Sequence, residues 1–483
     1  HDLSKRDTIS WNALITGYAQ HWHSEEAINC FEEMQREGLF PDAITFACIL
    51  KSCGNLGAAE RGEEIHARIV REGLLETNNV LGNALVDMYA KCGVLDKACQ
   101  VFDQLPVRDI ISWNALIAGY CQHGQSEETL KCFEQMQYER LSPDSMTFAC
   151  ILRACGSIGA IEKGKEIHDE IVRKSLLGED SVLWNALIDM YAKCGELVKA
   201  QEVFDELPVR GVVSWTALIA GYAQHGHAGE ALDLFERMQG EGFCPDSVTF
   251  LCILKACSSI GAADKGEKIH EAIIREGLLG KDSLLSNSLV DMYAKCGALA
   301  KAQEVFDDLL DRDVVVWTAL MAGYAQLGNH DIVFDLFKKL MREGIEPDLA
   351  TFTVVLNACS SSGLVKEGEM YFKIMSERYG ILPTLEHQTC MVDLFARAGD
   401  FEKAMTMIKK MSSCDYLPAW SSLLGACAKW GNVKLGRLAF EHSIRLDEKS
   451  AGAYVHMSEI YASAGMQEDA DMINALKMRN GQW

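Results

Sequence analysis

Trp11, Trp113, Trp215 and Trp317 stand 102 residues apart, and this one step constrains the chain more than any other feature. Cys92, Cys194 and Cys296 keep the step inside the phrase YAKCG. His66, His168 and His270 keep it too, as do Asp42, Asp144, Asp246 and Asp348, each in a Pro-Asp pair. Four residue types in one period define an array, which has to be read by its repeat. In an array each unit touches only its neighbours and the core grows along one axis. The 483 residues therefore need not divide into separate globular domains.

Within one period the apolar residues fall into three helical hairpins of unequal length, 8–42, 43–78 and 79–109. Trp11, Leu14, Ile15 and Tyr18 lie at i, i+3, i+4 and i+7, the stripe of an amphipathic helix. Ala27, Phe31 and Met34 give the facing stripe, with Ser24 expected as N-cap and Gly38 and Pro41 closing the hairpin. In the third hairpin Leu85, Met88 and Tyr89 precede a break at Gly93, and Ala98, Val101 and Phe102 follow it. Hairpins this small bury their stripes only by stacking. The expected fold is all-α, a right-handed α-solenoid superhelix of helix-turn-helix repeats. Triplets are expected at 8–109, 110–211, 212–313 and 314–416, with two further hairpins in the tail, 417–483. Residues 1–7 (HDLSKRD) match the repeat-ending LPVRD, so the chain is expected to open on the tail of a preceding repeat, with any targeting segment upstream.

The Trp, Cys and His series are expected in the core. The 18 cysteines form no Cys-x-x-Cys pair, and packing as small apolar groups in a reducing compartment is the simpler reading. No apolar run approaches the roughly 18 residues of a membrane span. The net charge of −23 speaks against a nucleic-acid binder, which usually wears a basic face. His23-Ser24-Glu25 is half of a zinc-deaminase signature, but no Pro-Cys-x-x-Cys follows, and the match is read as coincidence. No catalytic constellation, metal or cofactor site is expected.

The 35-, 36- and 31-residue hairpins carry WNALIAGY, TFACILRACGSIGA, IDMYAKCGEL and KAQEVFDELPVR. With these phrases the chain resembles plant organellar pentatricopeptide repeat proteins of the PLS subclass, the hairpins being the P-, L- and S-type repeats. TLEHQTCMVDLFARAGDFEKAM resembles the terminal S-type repeat of that subclass, and the tail from WSSLLGACAKWGN onward resembles its two E motifs. The resemblance implies binding of single-stranded RNA, one base per repeat. The fifth residue of a repeat reads the base, the last buttresses it, and the second wedges between bases. Such proteins select sites for cytidine-to-uridine editing, so a deaminase is expected fused downstream or docked in trans on 417–483. The protein itself is expected to be a monomer, not an enzyme, and mitochondrial, with chloroplast as second choice.

Carried onto this chain, Asn12 with Asp42, Asn83 with Asp109, Asn114 with Asp144 and Asn287 with Asp313 resemble uracil readers. Thr216 with Asp246 and Thr318 with Asp348 resemble guanine readers, and Asn185 with Gly211 is expected to take a pyrimidine loosely. Ala47, Ala149 and Leu251 are expected spacers. Thr353 with Thr384 and Thr389 with Tyr416 match no familiar pair. The implied ligand is 5′-UNUUNYGNUGNN. The wedges are Ile9, Val80, Ile111, Val182, Val213, Leu284 and Val315, and Lys91, Lys193, Lys295 and Arg397 form a row expected near phosphates. An N-cap role for Asn12 and a turn or cap role for the aspartates are the plainer alternatives. Asn and Thr exchange at one place while Asp stays, which suits a code better than a cap. A tetratricopeptide-like protein scaffold and an RNA stabiliser without editing remain as alternative functions.

Overall fold

The computed structural model describes residues 7–75, 78–178, 181–280, 282–411 and 415–480. The expected opening repeat tail lies outside them apart from Asp7, as do the last three residues of the tail hairpins. The described residues hold 28 α-helices and no strand. They fall into two compact units that divide after Ile253, inside one helix.

The first unit begins with α1 (Thr8–Gln20), α2 (Ser24–Arg36), α3 (Ala43–Leu56), α4 (Ala59–Arg71), α5 (Asn79–Lys91) and α6 (Leu95–Gln104). The same six recur as α7 (Ile110–Gln122), α8 (Ser126–Tyr138), α9 (Ser145–Ile158), α10 (Ile161–Arg173), α11 (Ser181–Lys193) and α12 (Leu197–Glu206). After them come α13 (Val212–Gln224), α14 (Ala228–Gly240) and α15 (Ser247–Ile260), the helix that the division crosses. The second unit continues the rhythm from Ala263 to Lys410 and ends with hairpins over Leu417–Leu446 and Ala451–Asn480.

Caps set the helix starts. Asp7, Asp42, Asp109 and Asp144 each sit in extended backbone and accept a backbone N–H from the first turn of the helix that follows. Ser24 does not cap α2. The helix begins at Ser24 itself, which is buried, and the capping place falls to His23, which makes no side-chain cap bond. Gly57 closes α3 at φ +68°, a left-handed conformation that favours glycine.

The first helices of successive hairpins lie side by side: α1 on α3, α3 on α5, α5 on α7, and so on to α13. Their approach is close where a glycine removes the side chain. A Cβ on Gly119 would stand 2.4 Å from that of Ala90, and one on Gly221 would stand 2.5 Å from that of Ala192. Tryptophan fixes the other seam. Phe102 meets Trp113, and Phe204 meets Trp215, edge to face with ring centroids 4.6 Å apart. In the second unit Phe306 and Trp317 repeat this at 4.6 Å. All four indoles of the series are at most 1% exposed, so they are core and not platforms for stacking bases.

The other periodic residues are structural as well. Cys92, Cys194 and Cys296, expected in the core, are only half-buried, whereas Cys53, Cys155 and Cys257 on the neighbouring helices are buried free thiols. His66, His168 and His270 sit within 2.9–3.2 Å of the hydroxyls of Tyr89, Tyr191 and Tyr293. Burial lowers the pKa of all three histidines, and Lys97 and Lys199 add to this at His66 and His168.

Candidate nucleic-acid interface

The first helices carry the residues that the sequence singled out for wedging and reading, and their partners Asp42, Asp109, Asp144 and Gly211 stand at the N-caps of the helices that follow. On a helix the second and fifth residues differ by three places and share a face. The second residue is aliphatic and open to solvent at Ile9, Val80, Ile111, Val182 and Val213 in the first unit, and at Leu284 and Val315 in the second, with exposures of 49–76%. These exposed aliphatic side chains recur at one register and give the first helices an apolar row. Sequence reasoning stopped short here: Ile44, Met146 and Val248, at the same place in the middle hairpins, are 54–61% exposed and extend the row. Their signal was the register itself.

At the fifth place the asparagines lie inside their helices, which rules out the N-cap alternative for Asn12. The aspartates are caps, and something more. Asn12 Nδ2 donates to Asp42 Oδ2 at 2.6 Å, and Asn114 Nδ2 donates to Asp144 Oδ2 at 2.8 Å. The other oxygen of each carboxylate caps the next helix, taking the backbone N–H of Thr45 or Thr147 at 2.9 Å. Burial raises the Asp42 pKa, but the Thr45 backbone and hydroxyl and the Asn12 amide outweigh it, and the carboxyl ends below its ordinary value. Asn83 Nδ2 reaches both Asp109 oxygens, at 3.1 and 3.3 Å, and Asn79 donates to the same carboxylate at 2.9 Å. In the second unit Asn287 Nδ2 donates to Asp313 Oδ2 at 2.8 Å.

The threonines behave differently. Thr216 reaches Asp246 through an intermediary: its hydroxyl lies 2.6 Å from that of Thr249, which donates to Asp246 Oδ1 at 2.7 Å. Thr318 does the same through Thr351, with both steps at 2.7 Å. Gly211, the sequence partner of Asn185, has no side chain to offer, and Asn185 Oδ1 is buried with no hydrogen-bond partner among the described residues. Ala149 is buried and Ala47 and Leu251 are half-buried, and none of the three can donate or accept through its side chain. Thr353 and Thr384 are joined through buried His387, at 3.2 and 2.7 Å. Thr389 donates to its own helix at Leu385 O, and Tyr416 makes no side-chain cap bond.

A cavity of 650 Å³ opens between α11 and α13. Val182, Val213 and Val248 line it together with Asn185, Thr216, Asp246, Arg153 and Lys193. Wedge, reader, buttress and cation candidates therefore share one concavity. The cations are not bare. Lys91, Lys193 and Lys295 each contact the aspartate one turn earlier (Asp87, Asp189, Asp291) at 2.7 Å, and Arg397 contacts Asp393 at 2.7 Å.

The profile of the PPR repeat family matches residues 6–55, 108–157, 210–259 and 312–361, again in steps of 102. A second PPR repeat profile matches 83–110, 182–212, 286–314, 350–379 and 389–416. The chain belongs to the pentatricopeptide repeat family. It is 36% identical over 498 residues to the pentatricopeptide repeat-containing protein At2g13600 of Arabidopsis thaliana, covering 96% of this chain and 71% of that protein. With At4g33990 of the same plant it shares 37% over 481 residues, 99% of this chain but only 58% of the relative. A third Arabidopsis relative, At1g15510, whose name places it in the chloroplast, is 34% identical over 99% of this chain and 55% of its own length. Among solved structures, maize PPR10 in complex with an 18-nucleotide psaJ RNA element aligns over 99% of this chain and 85% of that one, with TM-score 0.57 and 16% identity. That likeness establishes the solenoid fold of stacked helical hairpins.

Proposed function

We propose that this pentatricopeptide repeat chain is of the PLS subclass and binds single-stranded RNA in a sequence-specific way, selecting sites for organellar cytidine-to-uridine editing. The observation that carries the proposal is the repeated pairing of a fifth-place Asn or Thr with a helix-capping Asp, beside an exposed aliphatic residue three places earlier. Such a pair offers hydrogen-bonding groups to a base edge, and the aliphatic neighbour offers it a face. The triplets are 8–109, 110–211, 212–313 and 314–416, and the RNA runs 5′-UNUUNYGNUGNN along them. The organelle in this reading is the mitochondrion, with the chloroplast named by some relatives as second choice.

The tail, 417–483, is taken as E motifs that dock a deaminase or an accessory protein. Its last helix, Gln467–Asn480, leaves Met472 and Met478 exposed, which supports a partner face. The chemistry is supplied by that partner or by a domain beyond this chain.

The test is binding of the purified chain to 5′-UAUUACGAUGAA and to the same RNA with U and G exchanged at the coded bases. Tight binding to the first only, and a shift toward G at the fourth base in Asn114→Thr, is the expected result. Equal binding to both would move the protein-scaffold reading to the front. Deleting 417–483 should abolish editing and leave RNA binding intact.

A further inference from the structure

The reading residues of the first hairpin in each triplet touch a third residue that no pairwise code includes. Thr45, Thr147, Thr249 and Thr351 occupy the third place of the following helix, and all four are at most 1% exposed. Each hydroxyl lies between the fifth-place side chain and the capping aspartate. A hydroxyl has one proton to give and two lone pairs to accept with, so its partners dictate its direction.

In the threonine cases that direction is forced. Thr351 Oγ1 sits 2.7 Å from Asp348 Oδ1, and a carboxylate can only accept, so the Thr351 proton points at Asp348. One Thr351 lone pair takes the Asp348 backbone N–H at 3.4 Å. What remains is a lone pair, and the Thr318 hydroxyl at 2.7 Å must donate into it. Thr249 imposes the same on Thr216. With its only proton turned inward, Thr216 or Thr318 shows a base nothing but lone pairs. Among the four bases guanine alone offers two adjacent donors, N1–H and N2–H2, on its Watson–Crick edge.

The asparagine cases run the other way. Asn114 Nδ2 is committed to Asp144, so Oδ1 faces Thr147, whose one proton has two acceptors in reach and goes to the nearer, Asn114 Oδ1 at 2.5 Å, over Asp144 Oδ1 at 2.9 Å. Thr45 makes the same contact to Asn12 Oδ1. The amide is thereby held in one orientation, with a second N–H and a lone pair left for a base. The third hairpins serve as an internal contrast. Ser112 and Ser214, at the third place of α7 and α13, turn their hydroxyls to the backbone oxygens of Asp109 and Gly211. Asn83 Oδ1 and Asn185 Oδ1 are left without a hydrogen-bond partner among the described residues.

We propose that the third-place threonines Thr45, Thr147, Thr249 and Thr351 are specificity-setting positioning residues. They fix which hydrogen-bonding groups the fifth-place residue presents, making Thr216 and Thr318 acceptor-only and locking the amides of Asn12 and Asn114. This rests on the reading of the fifth-place residues as base readers.

The test uses the full chain with Thr249→Val, which keeps the shape and removes the hydroxyl, and Thr249→Ser, which restores it. Binding is measured to 5′-UAUUACGAUGAA and to the RNA with A at the seventh base, opposite Thr216. Thr249→Val frees the Thr216 proton, and the preference for G over A should fall roughly tenfold, the worth of about one hydrogen bond. Thr249→Ser should keep the preference, and discrimination at the fourth base, opposite Asn114, should be unchanged in both. If Thr249→Val still separates G from A as the parent does, or weakens both RNAs equally, the proposal is overturned. If the parent itself does not distinguish G from A there, it is the base-reading assignment that fails instead. Thr351→Val, read at the tenth base, carries the same test should Thr249→Val not fold.

Discussion

Asp144 holds Asn114 with one carboxylate oxygen and the start of α9 with the other, at 2.8 and 2.9 Å. The residue that positions a candidate base reader is also a helix cap, so stability and the proposed recognition are joined in one side chain. Asp144→Ala should cost about 1 kcal/mol of stability through the lost cap. It should also blur the choice of base opposite Asn114. Asp144→Asn keeps a capping oxygen and should recover most of the stability without recovering the base preference. Thermal unfolding beside competition binding separates the two. Equal recovery of both by Asn would show that the carboxylate charge has no part in reading.

A second prediction concerns the row of cations. Asp189 neutralises Lys193 at the edge of the 650 Å³ cavity. Asp189→Asn should release the ammonium toward a phosphate, tighten RNA binding and steepen its salt dependence by about 0.7 in log–log slope for a single strand. An unchanged slope would mean that Lys193 does not face the backbone of the RNA.

The half-buried histidines make stability depend on pH below neutrality. Burial holds the folded pKa of His66, His168 and His270 below the ordinary 6.5, so the unfolded chain takes up protons first as pH falls. Their contribution is intact above about 6.5 and declines from there toward the lower folded values. Melting should therefore occur at a lower temperature at pH 5.5 than at pH 7.5. The triple His→Gln variant should show a smaller difference, and an equal one would place the acid sensitivity elsewhere.

The Trp113 indole is 1% exposed against Phe102, and Trp113→Ala should cost about 3–5 kcal/mol. In an array the loss should be local at first. Amide exchange ought to quicken in α6 and α7 before distant helices respond. Uniform quickening along the chain would instead indicate one cooperative unit.

The hairpins and their core were legible because tryptophan, cysteine and aspartate repeat at one step and apolar residues fall on helical stripes. Ser24 misled because a serine before acidic residues is the usual cap signature, whereas here the chain turns one residue earlier, at His23. The ion pairs of Lys91 and Lys193 were visible as Asp at i−4, a spacing that places opposite charges together on a helix. The threonine relays were not legible. Thr249 reads as one more buried residue of its helix, and its partner Thr216 lies 33 residues away on another. Only the packing of two helices brings those hydroxyls together, and only counting their protons gives the contact a direction.

The Phe–Trp seam makes the triplets interchangeable. Phe102, Phe204 and Phe306 present the same edge to Trp113, Trp215 and Trp317, with one spacing of 4.6 Å. Removing 110–211 brings Phe102 against Trp215 in a joint that the protein already makes three times. A gene encoding such a chain can lose or gain a whole triplet by unequal crossing-over without leaving a raw apolar surface. Each event shortens or lengthens the string of presented side chains by three hairpins at a stroke, so under the proposed reading the bound sequence changes before any single residue has.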